Sequence, residues 1–147
     1  MLAFAVIDTS VWVSAFLNPR GYPGKIRYAL REGKFNSVSS WSLINELSEV
    51  LVRPRLVKSR RLQREEIQSY ILDVIRLSTV VTVRGSIKLC RDPNDDMVLE
   101  TAVIGQAAFV VSRDEDLTRD LDLKTNAEKY GIQLVTVNHF WQTLAGG

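Results

Sequence analysis

Along the chain, short unbroken apolar runs alternate with segments whose apolar positions recur every three or four residues. Leu2 to Ile7 is almost continuously apolar and stops at Asp8. A run of that length without polar alternation reads as a strand covered on both faces, the habit of a parallel sheet. Ser10 to Leu17 predicts a short helix ended near Asn18-Pro19 and Gly21, and Gly24 to Gly33 a second. Phe35 to Val38 reads as a second strand. Ser40 then reads as the N-cap of a helix whose Leu43, Ile44, Leu47, Val50 and Leu51 share one face until Pro54 stops it. Glu65 to Leu77 predicts another helix and Ser78 to Val83 a β-branched strand. The turn Asp92-Pro93-Asn94 leads into a helix from Asp95 to about Gln106. Ala108 to Ser112 forms a strand that again ends in an acid, Asp114. Leu134 to Val137 is the last strand, and Asn138 caps a closing helix.

Strands alternating with helices imply right-handed crossovers and helices on both faces of the sheet. The expected class is therefore α/β: a three-layer α/β/α sandwich with a mostly parallel central sheet, a single domain over residues 1–147. The length of 147 residues and a 46% hydrophobic content suit that size. No apolar run approaches the roughly 18 residues of a membrane-spanning helix. The amino terminus lacks a basic start and a small-residue cleavage site. The single cysteine, Cys90, excludes an internal disulfide and a multi-cysteine zinc site. These features lead us to expect a soluble cytoplasmic protein with no membrane partner.

Charge changes the picture. Residues 1–90 carry 14 Lys/Arg against 7 Asp/Glu, whereas residues 91–147 carry 5 against 10. Basic surface suits a polyanion and concentrated carboxylate suits a cation, although solvated faces produce the same imbalance.

In an open parallel sheet, ligands bind outside the carboxyl ends of the strands, where strand order reverses. Two strand-like runs end there in acids, Asp8 and Asp114; if the strands are neighbours, the carboxylates share a crevice. Capping the next helix is the alternative for either residue. Glu46 lies just outside the apolar stripe of its helix, where it needs a partner, either a basic side chain or a cation. Asp95 projects onto the centre of the Val98, Leu99, Ala102 and Val103 stripe and Asp96 onto its edge, with helix capping the alternative for Asp95. Four carboxylates converging on one crevice would raise each other's pKa and destabilise the fold without a compensating cation. Oxygen ligands with no nearby His or Cys favour Mg²⁺ or Mn²⁺ over zinc. The chemistry that follows is metal-activated water attacking a phosphodiester.

Four blocks in order, VIDTSVWVSA, SLINELSEVLVRPRL, DPNDDMVLETA and FVVSRDEDL, make the sequence resemble the PIN-domain nucleases. Its likeness is to the bacterial and archaeal subgroup described as toxin components of toxin–antitoxin pairs, relatives of the VapC toxins. The resemblance implies an α/β/α sandwich that binds Mg²⁺ or Mn²⁺ through its acids and cleaves RNA, with a small antitoxin and a second copy of the chain as partners. By motif, the four acids correspond to Asp8, Glu46, Asp95 and Asp114, with Asp116 at a less regular acidic position. Asp8, Asp95 and Asp114 would ligate metal, and Glu46 would orient the attacking water. Ser10 stands where relatives carry a small polar residue, often Asn, that holds metal-bound water or phosphate. The S-R-D at 112–114 departs from the T-G-D common in the subgroup and looks more like the T-R-D of VapC toxins; the departure leaves the acid in place and keeps substrate contact by Arg113 an open candidate.

The stretch Arg53 to Arg64 holds six basic residues and no acid. It reads as a backbone-tracking patch for RNA, with Arg60 and Arg61 as contacts, or as a solvated connector or antitoxin surface. His139 and Cys90 read as structural, and Trp12 and Trp41 as core or interface residues. A non-catalytic RNA- or protein-binding module of the same fold is the alternative function. An aspartyl phosphotransferase is disfavoured because position 10, two residues after Asp8, is Ser where that chemistry places a second acid.

Overall fold

The computed structural model describes residues 2–113 and 121–146. Strand β1, Phe4–Ile7, forms where the sequence is apolar without a break, and Ala5, Val6 and Ile7 are all fully buried. It lies at the centre of a five-stranded sheet of order β3-β2-β1-β4-β5, formed with β2 (Asn36–Ser40), β3 (Ser78–Val81), β4 (Phe109–Ser112) and β5 (Gln133–Thr136). Every pairing is parallel. The chain runs outward from β1 through β2 to β3, then returns to the other side of β1 for β4. The order thus reverses between β1 and β4.

The described residues contain eight helices: α1 (Thr9–Leu17), α2 (Tyr22–Arg31), α3 (Trp41–Leu51), α4 (Pro54–Arg60), α5 (Arg64–Leu77), α6 (Pro93–Ile104), α7 (Leu121–Glu128) and α8 (Val137–Gly146). Alternate strand residues feed two cores, as the period of a strand requires. Ala5, Ile7, Val111 and Val135 join α1, α2, α5 and α8 on one face. Val6, Val38, Val110 and Leu134 join α6 and α7 on the other. This is the expected α/β/α layering, with the sheet parallel throughout. Among the described residues, no helix is long and apolar enough to cross a membrane.

Several local expectations are corrected. Pro54 ends α3 but opens α4 at its first turn, where its missing N–H costs nothing. The connector is therefore helical, and its Leu56 and Val57 pack against the core. β2 runs to Ser40 because its serines find partners: Ser37 Oγ lies 2.8 Å from Ser78 Oγ, and Thr101 Oγ1 donates to Ser40 Oγ at 2.9 Å. Ser40 also caps α3, accepting the Leu43 amide at 3.3 Å. α6 begins at Pro93, with Asp92 rather than Asp95 as N-cap; Asp92 accepts the Asn94 amide at 2.9 Å. α2 begins at Tyr22. The closing helix begins at Val137 and is capped by Thr136 rather than Asn138, through the His139 amide at 3.0 Å. α7 was not expected from the sequence. Trp12 is buried, whereas Trp41 is 52% exposed and belongs to no core.

Candidate active site

Asp8 follows β1 directly, and its amide donates to Val111 O of β4 at 3.0 Å, so the residue sits at the reversal of strand order. Its carboxylate does two jobs. Oδ1 accepts the Thr9 amide at 2.8 Å, capping α1. Oδ2 faces two hydroxyls, Ser112 at 3.1 Å and Ser10 at 3.4 Å. Capping and a place in the crevice are therefore not alternatives for this residue.

Glu46 enters from α3. Its Oε2 accepts the Thr9 hydroxyl at 3.2 Å. Ion pairs among the described residues join Arg27 and Arg31 to Asp73, so Glu46 is not held by a basic side chain there. Asp95 enters from the first turn of α6. Asp96, one residue on, is committed elsewhere: its Oδ1 accepts the Leu89 and Cys90 amides at 3.0 and 2.8 Å. Burial pushes the Asp96 carboxyl up, but those amides and the Cys90 thiol outweigh it and hold its pKa below the ordinary value. The choice between the two acids is thereby resolved in favour of Asp95 as the one that faces the crevice.

Asp8, Glu46 and Asp95 line one cavity of about 440 Å³. Thr9, Ser10, Asn94, Arg53 and Arg113 line it too, over an apolar floor that includes Val13, Val50 and Val98. Asp114 and Asp116 lie outside the described residues. Arg60 and Arg61 are exposed on and just after α4 and do not line the cavity. Arg53, at the head of the same basic stretch, does. Arg53 reads in the sequence only as the head of that stretch, and two contributors escaped the sequence reading: Thr9 as the holder of Glu46, and Ser112 as a donor to Asp8. The D-T-S and S-R-D triplets contained both, but their roles depend on contacts between α1 and α3 and across β1 and β4.

The donor set is entirely oxygen, with no His or Cys lining the cavity, which fits a hard divalent cation. Among the described residues, no three acidic, histidine or cysteine side chains stand close enough to form a cage by themselves.

Cys90 does not line this cavity. Burial, then the Asp96 carboxylate, push its thiol up to about 12, with Asn126 pulling slightly the other way. His139 is exposed and away from this cavity.

Comparison with known proteins bears on the family and the fold. The PIN domain sequence model matches residues 5–116. An uncharacterized protein of Methanocaldococcus jannaschii, MJ1680, is 30% identical over 112 residues, covering 76% of this chain and 71% of that protein. A chain in the structure of VapBC2 from Rickettsia felis, bound to a DNA fragment from their promoter, superposes with a TM-score of 0.52. That match covers 90% of this chain and 98% of the other at 13% identity, a likeness of fold.

Proposed function

The chain belongs to the PIN domain family, and from that premise we propose that it is a Mg²⁺- or Mn²⁺-dependent endoribonuclease, the toxin half of a toxin–antitoxin pair. The observation that carries the reading is the meeting of Asp8, Glu46 and Asp95, from three separate elements, around one cavity at the reversal of strand order. Carboxylates gathered in this way repel one another, whereas a divalent cation turns the repulsion into attraction. In this reading Asp8 and Asp95 hold the cation, joined by Asp114 and Asp116.

Mg²⁺ or Mn²⁺ would supply the acidity that makes water a nucleophile near neutral pH and the charge that steadies the leaving oxygen. The protein's own groups do the rest. The Thr9 amide and the Ser10 and Ser112 hydroxyls fix the Asp8 carboxylate in one orientation. Glu46, tethered by the Thr9 hydroxyl, orients the attacking water and takes its proton. Arg53 and Arg113, the cations lining the cavity, draw in the substrate phosphate, and Ser10 hydrogen-bonds to it or to its water. The toxin assignment, with a small antitoxin and a homodimer as its assemblies, follows from the sequence resemblance.

The test is cleavage of single-stranded RNA with Mn²⁺ present, after chelation, and after Mn²⁺ is restored. Asp8→Asn and Asp95→Asn should each abolish cleavage while circular dichroism and melting remain those of a folded protein. Undiminished cleavage by the purified double variant overturns the assignment. RNA binding without cleavage or Mn²⁺ binding would mark a non-catalytic module instead.

A further inference from the structure

We propose that helix α4 and the turn after it form the track along which the backbone of single-stranded RNA runs to the acidic cavity. The inference rests on the ribonuclease reading above and names the surface that gives the enzyme its grip on substrate. The cavity has a difficulty that the reading leaves open: its three carboxylates repel the polyanion it must admit. Two lining arginines offset part of that charge. A longer substrate needs a cationic surface continuous with the cavity but outside it.

The chain supplies one such surface. Arg53 lines the cavity and is also the N-cap residue of α4. From there Arg55, Lys58, Arg60, Arg61 and Arg64 follow with no acid between Arg53 and Arg64. All are exposed. None forms an ion pair among the described residues, where Arg27 and Arg31 take Asp73. The sequence also denies them helical partners: Ser59 stands four residues after Arg55, and Leu62 four after Lys58. A face meant only for solvation mixes signs, because like charges at such spacing cost a few tenths of a kcal/mol per pair.

The cations are held on a rigid support. Leu56, Val57 and Leu62 pack against the core. Arg61 adopts the left-handed conformation at φ 51°, and its amide donates to Val57 O, ending the helix. The seven residues of α4, which begin next to the cavity-lining Arg53, carry the positive surface along about 10 Å of helix at 1.5 Å per residue. Its contacts are with charge and carry no base preference. Choice of cleavage site then falls to the cavity itself.

The experiment measures binding of a fluorescent 12-nucleotide single-stranded RNA by anisotropy across a potassium chloride series, with divalent metal chelated so that nothing is cut. For single strands the logarithmic salt slope is about −0.7 per phosphate neutralised. The double variants Arg55→Ala/Lys58→Ala and Arg60→Ala/Arg61→Ala should each flatten the slope by about 1.4, two contacts' worth. Each should also weaken low-salt affinity roughly tenfold. In the cleavage assay the loss should appear in KM, and should shrink as the substrate is shortened to a dinucleotide.

Circular dichroism and calorimetric Mn²⁺ binding, both unchanged, exclude a folding or cavity defect. If RNA is cleaved but the variants keep the wild-type slope and KM, the track is wrong while the ribonuclease stands, and the basic surface belongs to an acidic partner protein. If the slopes flatten but wild-type protein never cleaves RNA, the track stands and the enzyme reading falls.

Discussion

Replacing Glu100 isolates the device that holds the long β3–α6 connection. The residue is 3% exposed. Its carboxylate accepts the Arg84 amide and, at 3.0 Å, the Ile87 amide. Burial pushes the Glu100 carboxyl up, but the amides of Arg84, Ile87, Ser86 and Gly85 outweigh it and hold its pKa below the ordinary glutamate value. Hydrogen bonds to a charged group contribute about 1.5–3 kcal/mol each. Arg84 is exposed and its amide recovers water when released, so the lower figure applies to each of two bonds. Glu100→Ala should therefore cost about 3 kcal/mol, a fall in Tm of about 6–12 °C for a domain of this size. Glu100→Gln keeps the volume and one acceptor but turns an NH₂ towards an amide donor, and should lose about half as much. Because the folded pKa is depressed, the contribution is present above the unfolded value of about 4.3 and fades as pH falls through the folded one. Wild-type melting should thus decline below about pH 4 more steeply than that of Glu100→Gln. Thermal circular dichroism over a pH series, with hydrogen exchange at residues 84–87, checks both parts. A Glu100→Ala protein melting within about 1 °C of wild type, with those amides still protected, would refute the reasoning.

Asp95→Asn and Asp96→Asn should separate binding from stability. The first should abolish calorimetric Mn²⁺ affinity; the second should lower Tm by a few degrees and leave that affinity within about twofold, since Asp96 is occupied with the Leu89 and Cys90 amides. Matching behaviour of the two variants would contradict the geometry. Thr9→Val removes the hydroxyl that tethers Glu46 and should lower kcat roughly tenfold with little change in KM; wild-type kcat would sink that role. At pH 8, Cys90, its thiol pushed up to about 12, should be alkylated by iodoacetamide far more slowly in the native than in the unfolded protein, as mass spectrometry would reveal. Gly105→Ala places a Cβ 2.2 Å from Val38 Cγ1, and the forced shift should cost about 1–3 kcal/mol by denaturant melting.

What could be read from the sequence was whatever local pattern decides. β1 and β4 are apolar runs buried on both faces, and each is followed by an acid. Given a parallel sheet whose order reverses between them, Asp8 had to lie at that reversal. What could not be read depended on partners distant in sequence. β2 is rich in serine, and hydropathy shortens it; its polar side chains are tolerated because Ser78 and Thr101 receive them. α7 turns only Leu123 and Ala127 into the apolar core, too sparse a stripe to register as a period. Its one local signal was Gly131, at φ 72° just beyond the helix. Pro54 was read by its commoner effect, as a stop, whereas a proline at the head of a helix is equally permitted.

The acids of α6 show why residue type and spacing alone do not separate structure from function. Asp92, Asp95, Asp96 and Glu100 lie within nine residues, and a wheel favours Asp95 over Asp96 without deciding between them. Asp92, Asp96 and Glu100 fall four residues apart and so share one face, where like charges should repel. The fold neutralises them with backbone donors: Asp92 takes the Asn94 amide, and Asp96 and Glu100 take the β3–α6 connection between them. Asp95 is one position out of that register, about 100° round the helix, and faces the cavity instead. Three carboxylates thus fix the first turn of α6 and the segment before it. The rigidity they create holds the fourth at a defined position in the cavity, which is what the proposed cation site would require, because a ligand on a loosely held turn would spend binding energy on ordering it.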